Sequence, residues 1–369
     1  MNLNVKSSID IAKKELRACY SDEGIIAGVH HFTDYWARDA YFASLGALSI
    51  NDNVIVNKTV VNFFKYQRSD GLIPYRIMRG PATLGKYLGN PSYYRKPKPT
   101  YKLRGLGKEV LDGTTFTVLF SSLLGLKEYT NNIKLALKYL ETREKYGLLH
   151  DGFMAEWNDT ALKSGNLLYS NVIYWYMYEC LSLWTKNFDQ DWFNKIEVKK
   201  QKISLALRER LWTGKYFADW HDYKRQDYFY PFGNCLAIAW GLTNKNESES
   251  ILKQCLLVKK DFTLETNTPK YPFWRIDPFI QLVGMGNYQN HSKLWWQPMT
   301  AYLVALKRMG KESEIEKVEN LITTKIDADN KIYECYERTG EPMRQFIFRT
   351  EHPFAWSSGM ILWALLYKG

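Results

Sequence analysis

The sequence predicts an all-α protein whose helices close into an (α/α)6 barrel. Two observations carry that expectation. Apolar residues recur at i, i+3, i+4 and i+7 spacing in about twelve segments from end to end, at roughly 30 residues for each helix and its connection. The segments also alternate between apolar on nearly all sides and apolar on one stripe. Buried helices alternating with half-exposed ones is the pattern that a double-layered ring of helical hairpins requires; an open helical solenoid is the other arrangement of the same hairpins.

In chain order the segments lie near 7–20, 35–50, 53–68, 111–129, 131–146 and 165–187, then 190–211, 232–243, 247–258, 292–309, 311–325 and 354–367. Segments 35–50, 165–187, 232–243 and 354–367 are apolar on almost every face and are expected inside. Segments 131–146, 190–211 and 311–325 carry many charges on one side and are expected to meet solvent. Strand-type alternation is sparse, and neither a βαβ rhythm nor a glycine-rich phosphate loop is present. No Pro/Ser-rich linker divides the chain, so residues 1–369 are read as one barrel domain.

The long connection at about 71–108 is rich in Pro, Gly and Tyr. It holds nine basic residues and no Asp or Glu: Arg76, Arg79, Lys86, Arg95, Lys96, Lys98, Lys102, Arg104 and Lys108. The formal charge of the chain is +11, so this one connection leaves only +2 for the rest. A basic excess spread over the surface would point to nucleic acid; one confined to a single loop points either to selection of an anionic group or to an exposed loop that its charges keep soluble. Five scattered cysteines (Cys19, Cys180, Cys235, Cys255, Cys335) form no CxxC pair and no Cys/His cluster, so neither a disulfide framework nor a zinc site is expected. The six histidines show no metal-ligand spacing, and no cofactor is expected. The start Met1 to Ser8 is polar with no apolar h-region, so no signal peptide is expected, and no apolar run approaches the length that spans a bilayer. A cytoplasmic, membrane-free protein is expected.

Candidate chemistry gathers where buried helices begin. In Phe32-Thr33-Asp34-Tyr35-Trp36-Ala37-Arg38-Asp39-Ala40, adjacent Arg and Asp head an apolar helix, either as a structural cap or as a fork of donors and acceptors for sugar hydroxyls. In Asp151-Gly152-Phe153-Met154-Ala155-Glu156-Trp157-Asn158-Asp159-Thr160-Ala161, carboxylates stand among aromatic side chains. Desolvation there would raise a carboxyl pKa and make a general acid. A third run, Ile332-Tyr333-Glu334-Cys335-Tyr336-Glu337-Arg338-Thr339-Gly340-Glu341-Pro342, precedes the last buried helix with its Phe354-Ala355-Trp356-Ser357 start. Thirteen Trp, 26 Tyr and 18 Phe suit ring faces stacked on sugar C–H faces. No GxSxG elbow supports a Ser/His/Asp nucleophile.

In order along the chain, these runs resemble the six-hairpin glycosidases. Gly24 through Asp39, with Gly71-Leu72-Ile73-Pro74, is similar to the amylo-1,6-glucosidase half of glycogen debranching enzymes, and Trp36-x-Arg38-Asp39 also resembles glucoamylase. The Glu156-Trp157-Asn158-Asp159 run, with Gly165 and Asn171, looks like the general-acid segment, and Phe232-Gly233-Asn234 like a helix start of the same clan. Tyr333-Glu334-x-Tyr336 and Phe354-Ala355-Trp356-Ser357 resemble the general-base segment of processing α-glucosidase I relatives. The resemblance implies Asp159 as general acid and Glu334 as general base. It implies Arg38 and Asp39 as binders of the terminal sugar's hydroxyls, and Trp36, Trp157 and Trp356 as stacking walls. Glu156 competes for the acid role; Glu337, Glu341 and Glu351 compete for that of base, and Glu156 and Glu337 also count among the substrate-binding candidates.

The function this implies is an inverting, exo-acting α-glycosidase, an α-glucosidase by resemblance, with the carboxyls roughly 6.5–9.5 Å apart to admit a water. Its partner would be a carbohydrate, with an anionic aglycone where the basic loop meets the leaving part. Two other classes compete: a catalytically silent carbohydrate-binding protein on the same barrel, and a nucleic-acid binder using the Tyr/Arg loop. Charge confined to one loop and buried carboxylates that repel phosphate argue against the second.

Overall fold

The computed structural model describes residues 3–81, 83, 92–102, 109–282, 284–291, 293–345 and 348–368. Twelve long helices occupy the twelve expected segments: α1 Leu3–Ala18, α2 Ala37–Ser49, α3 Asn53–Phe64, α4 Asp112–Leu124, α5 Thr130–Glu141 and α6 Leu168–Thr185 in the first half. The second half holds α7 Gln190–Leu211, α8 Pro231–Ala239, α9 Lys245–Leu257, α10 Trp296–Arg308, α11 Glu312–Asp329 and α12 Ala355–Leu366. The short helix Pro278–Leu282 was not foreshadowed by periodicity, because five residues are too few to show any.

The even-numbered helices form an inner ring. Neighbours around it pack together in the order α2, α4, α6, α8, α10, α12, and α12 packs back on α2, which closes the barrel and excludes the open solenoid. Inner helices are buried on all sides: every residue of α2 from Ala37 to Ala47 is enclosed. Outer helices show a single stripe, as in α7, where the buried residues are Ile196, Ile203, Leu207 and Leu211.

Closure depends on backbones approaching at the α2–α12 seam. A Cβ on Gly46 would lie 2.2 Å from the carbonyl oxygen of Gly359, and one on Gly359 would lie 2.4 Å from the Cα of Ala43. The same seam is stitched at its mouth: the Ala355 N–H donates to the Ala27 carbonyl at 2.9 Å, and Gly28 bridges Phe354.

Inner helices also share a local device. Asn171, in the first turn of α6, accepts from the Leu149 N–H at 2.8 Å and donates to the Leu149 and Leu167 carbonyls at 3.1 and 2.9 Å. Asn234 in α8 does the same with the Phe217 N–H (2.9 Å) and the Phe217 and Tyr230 carbonyls (2.9 and 3.0 Å). In α4, Thr114 takes the Ile73 N–H at 3.0 Å. Each side chain ties the start of an inner helix to the segment before it, satisfying backbone groups that would otherwise be buried without partners.

Short antiparallel strands cap the helix ends. Tyr35–Trp36 pairs with Arg76–Met78, which pairs with Lys98–Thr100, so the described part of the basic connection is a small sheet at the mouth of α2. Lys86, Arg104 and Lys108 lie outside the described residues. All five cysteines are buried free thiols. Among the described residues no helix is long and apolar enough to cross a membrane, and no cluster of His, Cys, Asp and Glu could hold a metal ion.

The seam yields a prediction. Gly46→Ala forces the α2 and α12 backbones apart, at about 1–3 kcal/mol for overpacking. It should lower the thermal midpoint measured by circular dichroism without changing helix content; an unchanged midpoint would mean the seam is looser than these distances require.

Candidate active site

The inner helices present their N-termini to one end of the barrel, and the loops entering them enclose a cavity of about 110 Å³. Its lining comprises Phe32, Trp36, Arg38, Asp39, Trp157, Asp159, Tyr288, Gln289, Trp295, Glu334, Phe354 and Trp356. Seven of the nine residues singled out in the sequence therefore meet here: Trp36, Arg38, Asp39, Trp157, Asp159, Glu334 and Trp356. Glu156 and Glu337 do not.

Arg38 sits in the first turn of α2 and is buried. Its Nε donates to Oδ2 of Asp112 at 2.9 Å, its Nη1 donates to the Glu156 carbonyl at 2.7 Å, and Nη1 lies 3.9 Å from Oδ2 of Asp159. Burial opposes its charge, but Asp112, Tyr169, Asp159 and Asp39 outweigh that and hold the guanidinium above its ordinary value. Three carboxylates thus share one guanidinium. Burial, and the nearby charges of Asp112 and Asp159, push Asp39 up to about 7 although Arg38 pulls the other way. Burial raises Asp112 as well.

The Asp159 side chain is about a third exposed, at 32%, and has Arg38 for a neighbour. Its surroundings are less apolar than its sequence neighbours suggested: Trp157 points into the wall while Asp159 faces the opening. Gln289 holds the loop that carries it. The Gln289 side chain donates to the Trp157 carbonyl at 2.6 Å and accepts the Thr160 N–H at 3.2 Å, while its carbonyl accepts from Asn158 Nδ2 at 3.1 Å.

Glu334 is 3% exposed. Its Oε1 accepts from the Tyr288 hydroxyl at 2.8 Å and its Oε2 from the Glu351 N–H at 3.0 Å. Burial pushes it up to about 8; those two hydrogen bonds work against the rise and the charges of Glu351 and Asp39 add to it.

The competing carboxylates have other partners. Glu351 is fully buried, with its oxygens accepting the N–H groups of His30, His31 and Phe32 at 2.7, 3.1 and 3.3 Å. Gly28 makes room for it: a Cβ there would lie 2.4 Å from Cγ of Glu351. Glu337 pairs with Lys293 across the strands Lys293–Trp295 and Cys335–Glu337, and Glu341 is exposed. The Glu156 carboxylate is buried against Lys163, whose Nζ also lies 3.2 Å from Oδ1 of Asp219; Tyr271 donates to the same Asp219. Burial pulls Lys163 below its ordinary value, against Asp219. What Glu156 brings to the cavity is its carbonyl oxygen, through Arg38.

The walls are aromatic. Trp157 packs edge-on to Trp295 and Trp356, with centroids 5.3 and 6.1 Å apart, and Trp356 stacks on Phe42 at 4.9 Å. The indole N–H groups of Trp36 and Trp356 are buried with no acceptor among the described residues. Asp112, Tyr288, Gln289 and Trp295 were not anticipated. Asp112-Gly113 and Trp295-Trp296 each head a buried helix, the same signal that marked Arg38-Asp39; Tyr288 and Gln289 lie in an irregular segment with none.

Residues 8–88, which include Trp36, Arg38 and Asp39, match the family model amylo-alpha-1,6-glucosidase. No curated protein matches by sequence. The GH63 mannosylglycerate hydrolase of Thermus thermophilus, solved in complex with Tris, superposes with a TM-score of 0.66 at 13% identity, over 96% of this chain and 99% of that one. A bacterial glucoamylase complexed with acarbose gives 0.68 at 12% identity, over 97% of this chain and 54% of that one. A rhamnosidase from Klebsiella oxytoca with rhamnose bound gives 0.63 at 13%, over 98% and 63%. At these identities the likeness is one of fold: the chain has the (α/α)6 barrel of the six-hairpin glycosidases, and the proteins it is similar to are glycoside hydrolases.

The raised carboxylates make a prediction about stability. In the folded protein Glu334 and Asp39 hold protons that the unfolded chain releases at lower pH, so the stability they contribute is full below the ordinary carboxylate range. It is lost as the pH rises through about 7 and about 8. The thermal midpoint should fall across that window, and less steeply in Glu334→Gln. Parallel curves would show that Glu334 ionises at its ordinary value.

Proposed function

We propose that this chain is an inverting, exo-acting α-glycosidase, with an α-linked glucosyl unit as the first sugar to test. The observation that carries the reading is that Asp159 and Glu334, on separate loops, line one small aromatic cavity together with Arg38 and Asp39. Clefts for drug-sized ligands run to about 300–1,000 Å³; a cavity of about 110 Å³ suits a single terminal ring, hence attack at a chain end.

In this scheme Trp36, Trp157 and Trp356 bound the ring, while Arg38 and Asp39 meet its hydroxyls. Asp159, at the opening, donates a proton to the glycosidic oxygen. Glu334, oriented by Tyr288 and the Glu351 N–H, removes a proton from a water that attacks the anomeric carbon from the opposite face. The C–O bond breaks as the new one forms, and the anomeric configuration inverts. The relation to amylo-alpha-1,6-glucosidases through residues 8–88 favours glucose. An anionic aglycone is favoured by the basic connection as a whole, although Arg76, 4.3 Å above the Trp36 ring, is itself paired with Asp34; the mannosylglycerate hydrolase has also been solved with D-glycerate.

Two kinetic outcomes test this. Asp159→Asn and Glu334→Gln should each cut kcat by about 10³-fold or more while the proteins remain folded; near wild-type turnover in either would remove that residue from its role. In the wild type, the pH profile of kcat/KM should carry a limb near about 8 that reports Glu334; a limb unaltered in Glu334→Gln would assign it to another group.

A further inference from the structure

Three charged side chains that the proposed reaction does not use lie buried together behind the cavity wall. Glu156 and Asp219 are fully buried and Lys163 is 1% exposed. The Lys163 ammonium pairs with the Glu156 carboxylate and lies 3.2 and 3.4 Å from the two oxygens of Asp219, to which the Tyr271 hydroxyl also donates. The rings of Trp220, Tyr230 and Tyr271 surround the ammonium, with centroids 5.7, 5.2 and 5.5 Å away, and Tyr230 in turn stacks on Trp157 of the cavity. Well-packed apolar side chains would stabilise such a place at least as well as buried charges do, so stability alone does not account for the triad.

Its role follows from where its members sit in the chain. Glu156 and Lys163 bracket Asp159, so their pairing closes the segment that carries it into a ring. Asp219 anchors that ring. It belongs to Ala218–His221, the central strand of a three-stranded sheet, between Arg225–Phe229 and the Asn166–Leu167 strand that leads into α6. The backbone of Glu156 reaches the chemistry: its carbonyl accepts from Nη1 of Arg38 at 2.7 Å, and the same Nη1 lies 3.9 Å from Oδ2 of Asp159. A line of contacts therefore runs from Asp219 through Lys163 and Glu156 to Arg38 and Asp159. Without the ammonium, the Glu156 carboxylate would be buried with no counter-charge. It would have to take a proton or turn toward water, and its carbonyl would move with it.

We propose that Lys163 is a positioning residue for the general acid: held by Asp219, it fixes Glu156, and through the Glu156 carbonyl and Arg38 it sets Asp159 against the glycosidic oxygen. The inference rests on the assignment of Asp159 as general acid.

The test uses leaving groups that differ in their need for a proton. Fluoride departs from α-glucosyl fluoride with little help from an acid, whereas the sugar oxygen leaving from maltose needs one. The variants are Lys163→Met and Glu156→Gln/Lys163→Met. The double variant keeps the net charge of the triad, because a carboxylate and the ammonium are lost together, and it carries the test where the single one does not fold. Each should lower kcat for maltose about a hundredfold, the scale of a misplacement of about 1 Å, with KM held and with kcat for α-glucosyl fluoride far less altered. Asp159→Asn, assayed in parallel, should show the same split between the two substrates. If it does, an equal fall for both substrates in the Lys163 variants, or none for either, overturns the positioning role and leaves the acid assignment standing. A double variant that fails to fold by circular dichroism does the same, since the triad is then an element of stability. Asp159→Asn without a split overturns the acid assignment and this inference with it, and a wild type that cleaves neither substrate overturns both readings.

Discussion

A buried guanidinium holds this molecule's working end together. Arg38 leaves the first turn of α2, reaches Asp112 at the start of α4, takes the Glu156 carbonyl of the Asp159 loop and lies beside Asp159. Burying that charge is costly and is tolerated because carboxylates and a carbonyl surround it. Burial, with the negative groups crowded there, raises Asp39 to about 7. One residue therefore links the closure of the inner ring, the placement of the loop and the protonation of the site.

The loop of Asp159 is held from three directions. Glu156 and Lys163 form a buried pair that continues to Asp219 and Tyr271; Gln289 bonds Trp157, Asn158 and Thr160; and the Arg275–Asp277 strand runs along Thr160 to Leu162. Glu334 is fixed as firmly on the other side by Tyr288 and the Glu351 backbone. In the proposed reaction the two carboxyls work on opposite faces of one bond and need this rigidity, because errors of about 1 Å are costly in rate.

Much of this was legible in the residues. Buried and striped helices alternate so regularly that all twelve segments followed from periodicity, while the order and closure of the ring came from the packing; Asn171 and Asn234 head two inner helices with the same hydrogen-bond pattern. The choice among Glu334, Glu337, Glu341 and Glu351 was not legible. All four lie on irregular connections, and what separates them is long-range: the His30–Phe32 amides claim Glu351 from more than 300 residues away in sequence, and Lys293 claims Glu337. Glu156 looked like a site residue for the same reason, since its partner Lys163 gave no sign that it would be buried. Tyr288 and Gln289 belong to a segment without periodicity, so nothing in the sequence set them apart.

The central claim is that Asp159 and Glu334 face one another across a single glycosidic bond with a water between the base and the sugar. The most direct measurement is proton NMR of the first sugar released from an α-linked glucosyl substrate, recorded before mutarotation. The account predicts that the β-anomer appears first; an α-anomer appearing first would contradict it.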